Sequence, residues 1–162
     1  MKLWFLLTLP LYLLDQATKW LVTHNFALNE SRTVVPNLFD LVYYTNTGAA
    51  FSVFTSRNSN HLFIIISFAT LAGLVFAYAR NLFPERLGKF ALAILVSGIL
   101  GNLTDRIVHG HVIDFLLFRF GTLPIPPWPA FNVADSCICT AAGLFILYSF
   151  KDSKDSKQPS AG

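Results

Sequence analysis

Charged side chains are scarce in this sequence. Nine acidic and twelve basic residues make up 13% of 162, against roughly 25% in ordinary soluble domains. With 54% hydrophobic residues, such a chain is not intrinsically disordered, because disorder requires high charge and low hydrophobicity. Cysteine is scarcer still. Cys137 and Cys139 stand as a C-x-C pair in an apolar run, which excludes a disulfide scaffold and lacks the second ligand pair of a zinc site. The bases are too few and too dispersed to track a phosphate backbone, so no nucleic-acid partner is expected. No internal repeat supports an inverted-repeat transporter. Neither H-E-x-x-H nor G-x-S-x-G occurs, which removes the common zinc-protease and serine-hydrolase signatures.

Long apolar runs are plentiful. Residues 61–79 (HLFIIISFATLAGLVFAYA) carry no Asp, Glu, Lys or Arg and can cross a hydrocarbon core of ~30 Å as a helix. Residues 131–150 carry one charge, Asp135. Residues 3–22 are apolar apart from Asp15 and Lys19, and a fourth run begins near Lys89 and ends in a polar cluster. The expected fold is a membrane all-α protein with four transmembrane helices, at ~3–22, ~61–80, ~87–106 and ~131–150. Residues 1–150 form a single membrane-embedded domain in this reading, and 151–162 a disordered cytoplasmic tail.

Lys2, Arg80, Arg86, Lys89, Lys151, Lys154 and Lys157 cluster at helix ends on one side, which the positive-inside rule makes cytoplasmic, with both termini. Residues ~23–60 and ~106–130 then face outward. Lys2 before an apolar stretch also resembles a cleaved signal peptide, but no small-x-small site follows and a charged pair lies within the segment. The outward segment 33–46 (TVVPNLFDLVYYTN) is rich in β-branched and aromatic residues around a Pro36-Asn37 turn signal, so a small extracytoplasmic hairpin or sheet is expected. Residues 47–54 (TGAAFSVF) read as an interfacial turn or helix, and Trp128 suits the membrane interface.

Charges at membrane depth cost about 2.5–3.5 kcal/mol each and call for a reason. Asp15 and Lys19 share a helix face at i, i+4, either as a structural ion pair or as part of a polar site. Residues 101–115 (GNLTDRIVHGHVIDF) gather Asn102, Asp105, Arg106, His109, His111 and Asp114 at the outer end of the third helix. Helix termination explains Asp105 and Arg106 but not Asp114, which is bracketed by Val112-Ile113 and Phe115-Leu116-Leu117. Asp135 lies one turn into the fourth helix behind Asn132, a placement that also suits N-cap duty.

If the third and fourth helices are antiparallel neighbours, Asp114 and Asp135 can meet. Two adjoining carboxylates share a proton: one activates a water while the other donates to the developing oxyanion, hydrolysing a peptide without metal. His109 and His111 flank a Gly and converge poorly on one ion, so no metal or other cofactor is expected. Two other readings remain, a proton-coupled carrier and a non-catalytic subunit whose polar residues lock helices together. The first calls for acids spread across membrane depth, whereas here they gather near the outer face apart from Asp15.

The blocks Asp15-Gln-x-x-Lys19, Asn46-Thr-Gly-Ala-Ala-Phe-Ser52, 101–115 and Phe131-Asn-Val-Ala-Asp135 closely resemble those of the signal peptidase II (lipoprotein signal peptidase) family. The resemblance implies an aspartyl endopeptidase of the bacterial inner membrane, with its site near the outer leaflet. It implies diacylglyceryl-modified prolipoprotein substrates, cut just before the lipidated cysteine, membrane lipids as surroundings, and inhibition by globomycin. Separately, no helix shows a G-x-x-x-G dimer seam, so a monomer is expected. By motif, Asp114 and Asp135 resemble the catalytic pair, and Asn46, Asn102, Arg106 and Asn132 the residues lining the site. Gly48 and its neighbours resemble a loop closing over substrate, and Asp15 and Lys19 match a supporting motif. A helical signal peptide must unwind locally to be cut, and Asn side chains can replace its lost backbone partners.

Overall fold

A computed structural model of the protein describes residues 4–48, 58–121, 123 and 125–155. A π-helical turn, Trp4–Thr8, leads into α1 (Leu9–Asn25), followed by β1 (Ser31–Val35), β2 (Phe39–Asn46), α2 (Asn58–Ala79), α3 (Arg86–Val108), β3 (Val112–Phe118) and α4 (Val133–Asp155). Proline near the first helical position suits the start of α1, where an amide donor is unneeded. Thr8 Oγ1 ties that start to Ala93 O at 2.9 Å.

The α3 helix is the hub of the molecule. It packs against α1, α2 and α4, and small residues at its contact face let neighbouring backbones approach closely. A Cβ at Gly98 would lie 2.5 Å from Ala134 O, and one at Gly101 would lie 2.5 Å from Asp15 Oδ2. By contrast α2 and α4 turn apolar side chains outward, including Ile65, Phe68, Val75, Ile146 and Leu147. Water would penalise such surfaces; lipid does not.

Among the described residues, three helices are long and apolar enough to cross a membrane: Ser59–Ala79, Arg86–Val108 and Val133–Phe150, with mean hydropathies of 2.3, 1.6 and 1.6. The α1 helix has 17 residues and buries Asp15 and Lys19. At the other end of the chain, α4 runs on to Asp155. The expected disordered tail from 151 therefore starts inside a helix, and 156–162 lie outside the described residues.

The β-rich segment is a three-stranded antiparallel sheet in the order β1-β2-β3. The expected hairpin is β1–β2, closed at Asn37 with φ of 62°. The third strand is a correction: Asp114 lies at the centre of β3, not at the outer end of the third helix. Its run V-I-D-F-L-L-F is β-branched and aromatic, and the preceding Gly110, at φ of 78°, supplies the left-handed residue that turns the chain out of α3. One face of the strand presents Ile113 and Phe115 to Val22 of α1. The chain then folds back along β3, with Trp128 N donating to Phe118 O at 2.8 Å and Phe131 N to Leu116 O at 3.0 Å. That return delivers the first turn of α4 beside Asp114.

Candidate active site

The site forms where β2, β3, α3 and the start of α4 converge. Tyr44 stands opposite Asp114 in the β2–β3 ladder, and Asn46 is its diagonal neighbour. Diagonal side chains of an antiparallel pair share a face and are within reach of each other. Asn46 Nδ2 accordingly donates to Asp114 Oδ2 at 3.0 Å. The Oδ1 of the same amide accepts from Gly48 N at 2.8 Å, so one side chain holds both the carboxylate and the turn that follows β2. Gly48 has φ of 86°, and a Cβ there would overlap the Phe63 ring. The rest of the segment expected at the interface, residues 49–54, lies outside the described residues.

Asn132 is the hinge of the arrangement and is fully buried. Its Nδ2 donates to Asp114 Oδ1 at 2.8 Å. Its Oδ1 accepts from Asp135 N at 2.9 Å, while its backbone N–H donates to Asp135 Oδ2 at 3.2 Å. The latter two bonds make a reciprocal capping box at the start of α4. The capping and dyad readings of Asp135 meet in one residue: Asn132, which caps α4 together with Asp135, also bonds Asp114. Asn102 Nδ2 holds Asp135 Oδ1 at 2.7 Å, and Asn132 Nδ2 also reaches Asn102 Oδ1 at 3.2 Å. The two carboxylates are thus bridged through amides.

Asp114 is almost fully buried, and its pKa is pushed up to about 6. Loss of hydration is the main cause and the nearby charge of Asp135 adds to it; bonds from Asn46 and Asn132 and the charge of Lys19 act in the opposite direction. Each carboxylate also opens on a cleft. Asp114 faces one lined by Tyr44–Thr47, Pro129 and Ala130, and Asp135 one lined by Trp128, Phe131, Ser136, Cys139 and Thr140.

A buried ionic joint supports this centre from behind. Lys19 Nζ pairs with Asp15 Oδ2 at 2.9 Å and with Asp105 Oδ2 at 2.8 Å, and donates to Asn102 Oδ1 at 3.2 Å. Asp15 Oδ1 accepts from Ala134 N at 2.8 Å, and Asp105 Oδ2 from Ile113 N at 3.1 Å. Lys19 thereby joins α1, α3, β3 and the first turn of α4. Arg106 reaches back to Asn102 O at 3.3 Å, with its guanidinium over the Phe63 ring at 4.9 Å.

The family model described as Signal peptidase (SPase) II matches residues 7–151. The chain belongs to this family. The lipoprotein signal peptidase of Neisseria meningitidis serogroup C (strain 053442) is 40% identical over 159 residues, spanning 96% of this chain and 93% of that protein. That of Syntrophotalea carbinolica is 39% identical over 139 residues, 85% of this chain and 84% of its own. A solved bacterial membrane enzyme, determined by the in meso method at 2.3 Å, aligns with a TM-score of 0.85 at 25% identity, covering 100% of this chain and 96% of that one. This signal peptidase II family member is a protease of the bacterial inner membrane.

All the residues expected at the site fall in one connected region. Asp15 and Lys19 are more than an isolated pair, because Asp105 completes the joint. Sequence reasoning left Asp105 as a helix-end polar residue and passed over Gln16, whose Nε2 bridges Asp15 and Asp105 at 3.1 and 3.2 Å. The available signal was spacing: Asp105 follows Asn102 by three residues and so shares its helix face.

Proposed function

We propose that this chain removes signal peptides from diacylglyceryl-modified prolipoproteins by activating water between Asp114 and Asp135. The observation that carries the assignment is the bridge through Asn132, whose side-chain Nδ2 bonds the Asp114 carboxylate and whose backbone N–H bonds that of Asp135, while burial raises Asp114 to about 6. In this reading Asp114, whose pKa burial raises, supplies a proton, and Asp135 serves as the base. Asp135 takes a proton from water as its oxygen attacks the scissile carbonyl, and Asp114 donates to the carbonyl oxygen. The diol intermediate collapses with proton transfer to the departing amine. The C–N bond then breaks, leaving the signal peptide's carboxylate and the free amino group of the lipidated cysteine. Asn46, Gly48, Asn102, Arg106 and Asn132 line the path of the unwound peptide, and Asp15 and Lys19 hold the frame.

The site sits near the outer leaflet in this reading, where water is available and the substrate's acyl chains stay in lipid. The π-turn and α1 together run from Trp4 to Asn25, which at ~1.5 Å per residue spans about 33 Å and makes α1 the fourth membrane crossing. Residues 1–150 act as one domain and one monomer, both termini are cytoplasmic, and globomycin would occupy the clefts at the carboxylates.

The test is cleavage of a diacylglyceryl-modified prolipoprotein in detergent. Asp114→Asn and Asp135→Asn should each lower turnover by about three orders of magnitude or more while thermal unfolding stays cooperative. Normal turnover by either variant would overturn the assignment.

A further inference from the structure

At the outer ends of α2 and α3, Asn60 Nδ2 donates to Arg106 O at 3.2 Å. Phe63, one turn further along α2, lies beneath the Arg106 guanidinium and against Gly48. Three neighbours therefore fix the place of Arg106: Asn60 at its carbonyl, Phe63 under its plane, and Asn102 O at Nη1. Its guanidinium lies within electrostatic reach of Asp135, Asp105 and Asp114.

Two polar atoms of this cluster are buried with no hydrogen-bond partner among the described residues, Arg106 Nε and Asn60 Oδ1. A buried polar atom left unpaired loses its hydration without compensation, so two in one cluster require an explanation. One is a donor and the other an acceptor. An anion would suit Nε–H but be repelled by the amide oxygen, and a cation would meet the reverse conflict. A secondary amide satisfies both, its C=O accepting from Nε–H and its N–H donating to Oδ1. Unwinding a signal peptide inside a membrane creates such orphaned backbone groups.

We propose that Asn60 and Arg106 together grip the main chain of the unwound substrate, with Asn60 Oδ1 accepting a backbone N–H and Arg106 Nε donating to a backbone carbonyl. Phe63 is the positioning residue that holds the guanidinium plane. The proposal rests on the peptidase reading above and adds Asn60, a residue outside the motif blocks, to the substrate-binding set. Because the contacts are to main chain, the pair reads no side chain and suits an enzyme that must process many signal peptides.

The experiment uses the full chain in detergent and synthetic diacylglyceryl-modified prolipoprotein peptides. In these, the amides flanking the scissile bond are replaced one at a time by esters, which removes a single N–H. With the unaltered enzyme, one ester position should lower kcat/KM about tenfold. Asn60→Leu should lower kcat/KM for the all-amide peptide by a similar factor and abolish the amide–ester difference at that position alone. Asn60→Asp keeps an acceptor oxygen and should preserve the difference, which guards against a leucine variant that folds poorly. Arg106→Lys keeps the charge, lacks Nε, and should lose about tenfold on every peptide. The same amide–ester ratio in Asn60→Leu as in the unaltered enzyme, or full activity of Arg106→Lys, would overturn the grip. Both results are separable from failure of the peptidase reading, in which the unaltered enzyme would cut no peptide in an Asp114- and Asp135-dependent way.

Discussion

Asn132 does two jobs with one amide. Its oxygen caps α4 and its nitrogen holds Asp114, so a single side chain sets both the direction of a helix and the state of a carboxylate. Because the bond to Asp114 favours the ionised form, removing it must move that pKa further up, not down. Asn132→Ala should therefore shift the alkaline limb of kcat/KM from about 6 to higher pH. Loss of the cap should also lower stability by about 1 kcal/mol. A pH–rate profile checks the first, and a limb that stays or moves down would contradict the geometry. The sign for stability follows from the same pKa. The folded value, about 6, exceeds the unfolded 3.8, so the fold favours protonated Asp114. That contribution is intact below about 4 and is lost as pH climbs through 6, by roughly 3 kcal/mol at most. Asp114→Asn should flatten this slope in a series of thermal melts. Asp114 was legible in the sequence because an acid among Val, Ile, Phe and Leu has no surface role. Its partnership with Asn46 was not derivable from the residues alone, since it depends on strand register, and only the motif resemblance pointed there.

The elements show where sequence reasoning ran out. Apolar runs located α2, α3 and α4 because a membrane crossing is defined by length and hydrophobicity, both local properties. The strand β3 was missed because seven residues after a helix carry no period that separates a strand from a fraying helix end. Only pairing with β2 decides it, and that partner lies some seventy residues earlier. Glycine spacing in α3 was equally silent: Gly101 matters because Asp15 Oδ2 would lie 2.5 Å from its Cβ, while Gly73 of α2 has nothing within 4 Å. The two should respond to the same substitution with opposite signs. Gly101→Ala should cost about 1–3 kcal/mol by wedging α1 and α4 from α3 and disturbing the Asp15–Lys19 pair. Gly73→Ala should be neutral or stabilise by up to about 1 kcal/mol, since alanine is the better helix former. Paired melts in one detergent test this, and equal shifts would mean that the helix contact does not govern the response.

Across the whole molecule, polar residues and lipid-facing residues occupy separate territories. The sheet, both carboxylates and the Lys19 joint gather at one end, whereas α2 and α4 are apolar along their outward faces. Arg80, Arg86 and Lys89 flank the opposite turn, between α2 and α3. In the orientation proposed above, the positive-inside rule places that turn in the cytoplasm, and the sheet and the carboxylates would then lie outside. The proposed orientation would suit the proposed chemistry, because water for hydrolysis would arrive from the outer face while the substrate's acyl chains stayed in the bilayer. Single cysteines placed in a chain carrying Cys137→Ala and Cys139→Ala test it with a membrane-impermeant maleimide. Ser31→Cys, exposed at the start of β1, should label in intact cells. Asn81→Cys, exposed in the turn after α2, should label only after the membrane is opened. The reverse pattern would put the carboxylates on the cytoplasmic side and would require the lipidated substrate to present its cleavage site there instead.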